Sequence, residues 1–218
     1  MINTIIFDMD GTLFSTEPIY FECYQQAAQP MGLNFTFELF ESCIGISTEE
    51  AMPLMMSYFG RKVDVEKIYR GCCRNFEKYL ATHEIPFRPG AKETVEFFHQ
   101  KGYKLGIASS NARIWVHKLL EKNGILSYFS AIVTSDDVQN PKPDPEVYLR
   151  AAQQLGADVS NCLAFDDSVA GATAAISAGI RTVVVPDLKQ PDTFVREHAF
   201  RVYKSMEDIY PDMDELLS

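Results

Sequence analysis

The run TIIFDMDG at residues 4–11 places four strand-forming residues directly before two aspartates, Asp8 and Asp10, and a glycine. Its apolar stretch lacks the polar alternation of a half-exposed strand, so it reads as a strand covered on both faces. Two carboxylates at the mouth of such a strand repel each other and lose hydration, a cost that a nearby positive group offsets. The chain is thereby constrained twice. The strand needs helices above and below it, and its acidic end needs a cation.

Further apolar runs of strand length lie at KLGIAS (104–109), AIVTS (131–135), CLAF (162–165) and TVVVP (182–186). Helical patterns separate them at 91–102, 112–124, 145–156 and 169–179, each closing on a glycine, the common helix stop. This alternation predicts an α/β fold with a doubly wound parallel sheet. Residues 15–87 break the rhythm and read as several helices, with Phe, Tyr and Met at helical spacing that fit a small helical core. The expected organisation is an α/β core, 1–14 and 88–218, with a helical insertion at 15–87.

At 218 residues and 46% hydrophobic content the chain can fill such a core, and disorder is disfavoured. A net charge of -10 without a Lys or Arg run argues against a nucleic-acid polymer as partner. No stretch approaches the length of a bilayer span and no basic, apolar leader opens the chain, so no membrane association is expected. The five cysteines, odd in number and with Cys72 beside Cys73, read as free thiols in a reducing cytoplasm.

In parallel sheets, ligands gather beyond the carboxyl ends of the strands. Those ends carry Asp8 and Asp10, then Ser109, Ser110 and Asn111, then Lys142, then Asp166 and Asp167. The set suits a phosphoryl group. Asp8 with Asp166 or Asp167 supplies the hard oxygens that Mg²⁺ accepts. An Asp8 carboxylate can attack phosphorus, while Asp10 can protonate the leaving alkoxide and later take a proton from water. Ser109, the backbone N–H groups after it and Lys142 can bind phosphate oxygens.

In this order and at these intervals, DMDGT, IASSN, KPDPEVY and FDDSVAG resemble the four motifs of the haloacid dehalogenase superfamily. The helical insertion resembles the cap of its phosphoglycolate phosphatase and beta-phosphoglucomutase branch, and the closing VYKSMEDI resembles that branch's final strand and helix. The resemblance implies Asp8 as nucleophile, Asp10 as acid and base, and as phosphate binders Lys142 and Ser109, the latter in a segment with Ser110 and Asn111. It implies Asp167 as a Mg²⁺ ligand, Asp166 as a ligand directly or through water, and the Asp10 carbonyl as a further ligand. The implied activity is a Mg²⁺-dependent phosphatase that acts through an aspartyl phosphate on a small phosphorylated metabolite: a sugar phosphate, phosphoglycolate or a nucleotide monophosphate. A monomer is compatible with these features. A phosphosugar mutase is the alternative, weakened by Ser15 and Tyr20 where beta-phosphoglucomutases carry Asp and His. A receiver-type signalling domain is disfavoured by the insertion. The segment GISTEE (45–50) occupies the position of the family's specificity loop, and Ser47 with Glu50 also reads as a helix capping box.

Overall fold

Residues Thr4–Phe7 form strand β1 with every side chain buried, as an unbroken apolar run requires. In the computed structural model, which describes residues 1–44, 46 and 48–218, β1 lies between two parallel neighbours. These are β2 (Lys104–Ala108) and β4 (Cys162–Asp166). Strands β3 (Phe129–Val133), β5 (Arg181–Val184) and β6 (Arg201–Val202) complete a parallel sheet in the order β3-β2-β1-β4-β5-β6. This is the doubly wound α/β sheet expected from the alternation. The strand order reverses between β1 and β4, which opens a crevice at their carboxyl ends.

Among the described residues, four α-helices lie between β1 and the first crossover helix: α1 (Glu17–Ala28), α2 (Phe37–Cys43), α3 (Thr48–Phe59) and α4 (Val65–Thr82). The crossover helices are α5 (Ala91–Gln100), α6 (Arg113–Lys122), α7 (Glu146–Gln154) and α8 (Val169–Ser177), followed by α9 (Thr193–His198) and α10 (Met213–Leu217). Strand β3 starts earlier than its apolar run. Phe129 is drawn inward and meets Phe7 edge-on, with ring centroids 6.4 Å apart, while exposed Ser130 hides the strand in the sequence. The run also ends sooner, because the Asp137 carboxylate accepts from the Thr134 backbone N–H and hydroxyl at 2.8 and 2.9 Å and starts a helical turn.

The inserted helices have a cluster of their own around Phe35, Phe40, Met55 and Ile68. Their packing is nevertheless continuous with the core: Ile19, Cys23, Cys72 and Phe76 join the same buried cluster as Phe7 and Val116. Phe76 of α4 meets Trp115 of α6 edge-on at 5.6 Å, and Lys118 pairs with Glu77 across the seam at 2.9 Å. The two connecting segments are themselves paired. Ser15 N–H donates to the Pro86 carbonyl at 2.9 Å, Arg88 N–H donates to the Leu13 carbonyl at 2.8 Å, and Phe14 packs on Phe87. Arg88 anchors this junction to Asp187 beyond β5.

All five cysteines are free thiols, and among the described residues no helix is long and apolar enough to cross a membrane. Gly45 and Ser47, and with them the capping-box reading, lie outside the described residues.

Helix α8 buries its small residues Gly171, Ala172, Ala174 and Ala175, so it rides close to the end of β4. A Cβ on Gly171 would stand 2.0 Å from the Asp166 carboxylate. Gly171→Ala is therefore expected to cost about 1–3 kcal/mol through overpacking, read as a lower urea midpoint. An unchanged midpoint would mean that α8 does not rest on Asp166.

Candidate active site

Two strand ends and one loop meet at the crevice between β1 and β4. Asp8 follows β1, Asp166 ends β4, and the loop between β3 and α7 brings Lys142 between them. The Lys142 Nζ donates to Asp8 Oδ1 at 2.7 Å and to Asp166 Oδ2 at 2.9 Å. Burial opposes the Lys142 charge, yet Asp166 and Asp8 hold its ammonium above the ordinary lysine value.

The two acids have different surroundings. Asp166 has no side-chain exposure, and both its oxygens are engaged. Its Oδ2 also accepts from the Tyr148 hydroxyl at 2.6 Å, and its Oδ1 accepts from the Ser168 N–H and hydroxyl, each at 2.9 Å. The Asp8 side chain keeps 10% of its surface open, so a reactant can reach it. Burial pushes the Asp8 carboxyl up to about 7, with Lys142 opposing and Asp166 adding to the rise.

Asp10 and Gly11 form the turn after β1. Gly11 takes φ +80°, and a Cβ there would lie 2.4 Å from Asp167 Oδ2, so the turn requires glycine twice over. Thr12 then donates its hydroxyl to Asp167 Oδ1 at 2.8 Å. Asp10 Oδ2 accepts from Asn111 Nδ2 at 3.1 Å, whereas Asp10 Oδ1 is buried without a partner among the described residues. Burial raises the Asp10 carboxyl above the ordinary carboxylate range.

Past β2, buried Ser109 accepts the Asn111 N–H on its Oγ at 3.1 Å. Asn111 Oδ1 accepts from Ala112 N–H at 2.9 Å, which fixes the side-chain amide. Its Nδ2 then donates both to Asp10 and, at 2.7 Å, to the Tyr20 hydroxyl on α1. One amide thus joins the inserted helices to Asp10. Ser110 is exposed and lines the cavities beside it.

Sequence reasoning missed Glu17 and Tyr148 as members of the site. Glu17 reads as an ordinary acid in the first turn of a helix, but its carboxyl is buried and lines a chamber of about 90 Å³ with Asp8, Ser109, Lys142 and Asp167. Burial, reinforced by Asp10, pushes it up to about 8, while the Thr16 hydroxyl bond at 2.8 Å opposes the rise. Tyr148 reads as a packing aromatic on an amphipathic helix. Only the fold shows its hydroxyl on Asp166.

Asp8, Asp10, Glu17, Asp166 and Asp167 are grouped around one buried ammonium, an acidic excess that a divalent cation would balance. Burial, with Asp166 and Asp8, holds the Asp167 carboxyl well above its ordinary value. Among the described residues no three His, Cys, Asp or Glu side chains converge as a ready-made metal cage. Mg²⁺ takes one or two carboxylates and fills its remaining positions with water and phosphate, and Asp8 and Asp167, which both line the chamber, could supply the two.

The haloacid dehalogenase-like hydrolase pattern matches residues 5–185. A phosphorylated carbohydrates phosphatase of Thermotoga maritima is 32% identical over 218 residues, covering 99% of this chain and 100% of that protein. A Drosophila melanogaster protein named probable pseudouridine-5'-phosphatase is 33% identical, covering 97% of this chain and 93% of its own. The crystal structure of CbbY from Rhodobacter sphaeroides in complex with phosphate shares the fold, with a TM-score of 0.81 at 23% identity over 96% of this chain and 97% of that one. The chain belongs to the haloacid dehalogenase-like hydrolases, in the branch that includes phosphoglycolate phosphatases and beta-phosphoglucomutases. It is a phosphatase of that family.

The raised Glu17 pKa sets a pH dependence. The folded chain keeps this proton up to about 8, whereas an unfolded glutamate releases it near 4.5. Folding is therefore favoured at low pH and loses stability as pH rises through this window. Chelator-treated protein is expected to resist urea less at about pH 8 than at about pH 5.5, and Glu17→Gln to flatten that slope. A slope that is absent, or unchanged in the variant, would contradict the buried-acid assignment.

Proposed function

We propose that this phosphatase is Mg²⁺-dependent and hydrolyses a small phosphomonoester through an aspartyl phosphate on Asp8. The observation that carries the reading is the Lys142 ammonium seated between Asp8 and Asp166, with Asp8 the acid left open to the chamber. Phosphorylated carbohydrates, named for the Thermotoga relative, give the first substrate class to test. The cytoplasm suits the five free thiols.

Asp8 attacks phosphorus, forming a P–O bond as the ester P–O bond breaks. Asp10, protonated at the start, gives its proton to the departing alkoxide. Water then attacks the phosphoryl group with Asp10 taking its proton, and the Asp8–phosphorus bond breaks to release phosphate and restore both acids. Lys142, Ser109 and the Ser110–Asn111 segment bind the phosphoryl oxygens. Asn111 also orients Asp10.

Asp8, Asp167 and the Asp10 carbonyl would hold Mg²⁺. The cation supplies charge neutralisation that lets an anionic carboxylate meet a phosphate. Asp166 has both oxygens committed to Lys142, Tyr148 and Ser168, so its assigned part is to orient Lys142, with any metal contact made through water. Residues 15–87 act as a cap over the chamber. The mutase alternative is disfavoured because Tyr20, where those enzymes have His, is tied to Asn111.

Asp8→Asn is expected to lose activity by about three orders of magnitude or more, because an amide is a poor nucleophile and metal ligand. EDTA should abolish turnover and excess Mg²⁺ restore it. Full activity of Asp8→Asn, or of the enzyme in EDTA, would overturn the reading. Asp10→Asn should slow phosphorylation by alkyl phosphates more than by p-nitrophenyl phosphate, whose phenolate leaves unprotonated. Equal losses in single-turnover assays would contradict its role as acid.

A further inference from the structure

The adjacent cysteines of α4 take no part in the chemistry above, yet one of them meets a third thiol across the packed helices. Helices α1 and α4 run so close together that a Cβ on Gly71 would stand 2.7 Å from the Ala27 Cβ. Cys72 follows Gly71, and Cys23 lies one turn before Ala27. Both are buried in the same cluster, and their thiols hydrogen-bond each other. Asn75 holds the same turn of α1, donating its amide to the Cys23 carbonyl at 3.1 Å. The other thiols are turned elsewhere. Cys73 bonds with Tyr69, Cys43 lies 3.9 Å from the Ser42 hydroxyl, and Cys162 donates to the Asp158 carbonyl at 3.3 Å.

Two features open this pair to oxidation. Cys72 stands with Tyr20 and Tyr24 in the wall of a cavity of about 200 Å³, so a molecule as small as hydrogen peroxide can reach it. The bond from Cys72 also lowers the Cys23 thiol below its ordinary value, against the opposing effect of burial, and the thiolate is the form that attacks peroxide. The Cys23 thiolate attacks one peroxide oxygen as the O–O bond breaks, leaving a sulfenic acid and a hydroxide that takes up the proton Cys23 released. The Cys72 sulfur then attacks the Cys23 sulfur, the S–O bond breaks, and the oxygen leaves as water with the Cys72 proton. Two thiols are oxidised and one peroxide is reduced to two waters.

An S–S bond is about 2.05 Å long, shorter than any contact between separate thiols, so its formation shifts α1 against α4. The contact of Ala27 with Gly71 is already closed, which directs the shift toward Tyr20, whose carbonyl oxygen lies 3.9 Å from Cys72 Sγ. The Tyr20 hydroxyl holds the Asn111 amide that orients Asp10.

We propose that Cys23 and Cys72 form a dithiol that hydrogen peroxide oxidises to a disulfide, and that this disulfide displaces Tyr20 and slows the acid step at Asp10. The modification goes beyond the phosphatase reading, and only its effect on turnover rests on that reading.

The reduced, Mg²⁺-loaded full chain is treated with hydrogen peroxide, cleared with catalase and divided. One part is alkylated, digested without reductant and read by mass spectrometry, and the other is assayed on an alkyl phosphate and on p-nitrophenyl phosphate. A peptide cross-linked through Cys23 and Cys72 is expected, with a fall in kcat about tenfold larger on the alkyl phosphate than on p-nitrophenyl phosphate. Dithiothreitol should reverse both. Cys72→Ser, and separately Cys23→Ala, should abolish the cross-link and the fall, whereas Cys73→Ser should keep both, with circular dichroism establishing that each variant is folded. Unlinked Cys23 and Cys72 after oxidation, a cross-link through Cys43 or Cys73 instead, or a cross-link that leaves the ratio of the two rates unchanged would overturn the proposal. If the reduced chain hydrolyses no ester, the phosphatase reading fails, while the cross-link still decides the dithiol.

Discussion

The site is organised by one ammonium. Lys142 sits between Asp8 and Asp166, which leave neighbouring strands at the same edge of the sheet. A buried charge without its partner costs about 3–5 kcal/mol, so each of the three groups requires the others. The pairing also sorts the two acids. Tyr148 and Ser168 complete the coordination of Asp166 and make it a fixed support, while Asp8 keeps an open side. Sheet topology sets the position, since the reversal between β1 and β4 opens the crevice where the acids emerge.

The backbone around this pairing leaves little room. Gly11 brings the turn after β1 against Asp167, and Gly171 brings α8 against Asp166. Both contacts are shorter than any side chain allows, so two glycines fix the spacing of the acids as firmly as the strands do. The acidic excess that remains after Lys142 is counted is one that a divalent cation bound here would balance. Burial is the main cause of the upward displacement of Asp8, Asp167 and Glu17, and the neighbouring carboxylates add to it.

Much of this was legible in the chain. Strands buried on both faces write themselves as continuous apolar runs, so β1, β2 and β4 stand out, and acids at the ends of β1 and β4 mark a ligand site. Strand β3 was shifted because Ser130, facing outward, interrupts the run that Phe129 begins. The two-residue strand β6 is too short for any period, and only the resemblance pointed to it. Glu17 and Tyr148 were missed for a different reason. An acid opening a helix and a tyrosine on a helical face each have an ordinary local explanation, and their part in the site appears only when distant segments meet. The continuous packing of α1 and α4 with the sheet was hidden in the same way, because Phe76 and Trp115 each look like core residues of separate units.

The central claim is that Asp8 carries the phosphoryl group in turnover. It is tested most directly by mixing the Mg²⁺-loaded enzyme with a phosphomonoester, quenching within one turnover and reducing with borohydride. Borohydride converts an acyl phosphate to an alcohol, and peptide mass spectrometry then locates it. The account predicts modification in the peptide that contains TIIFDMDG, at Asp8 and at no other acid. Recovery of unmodified Asp8 during active turnover, or modification at Asp10, Asp166 or Asp167, would contradict it.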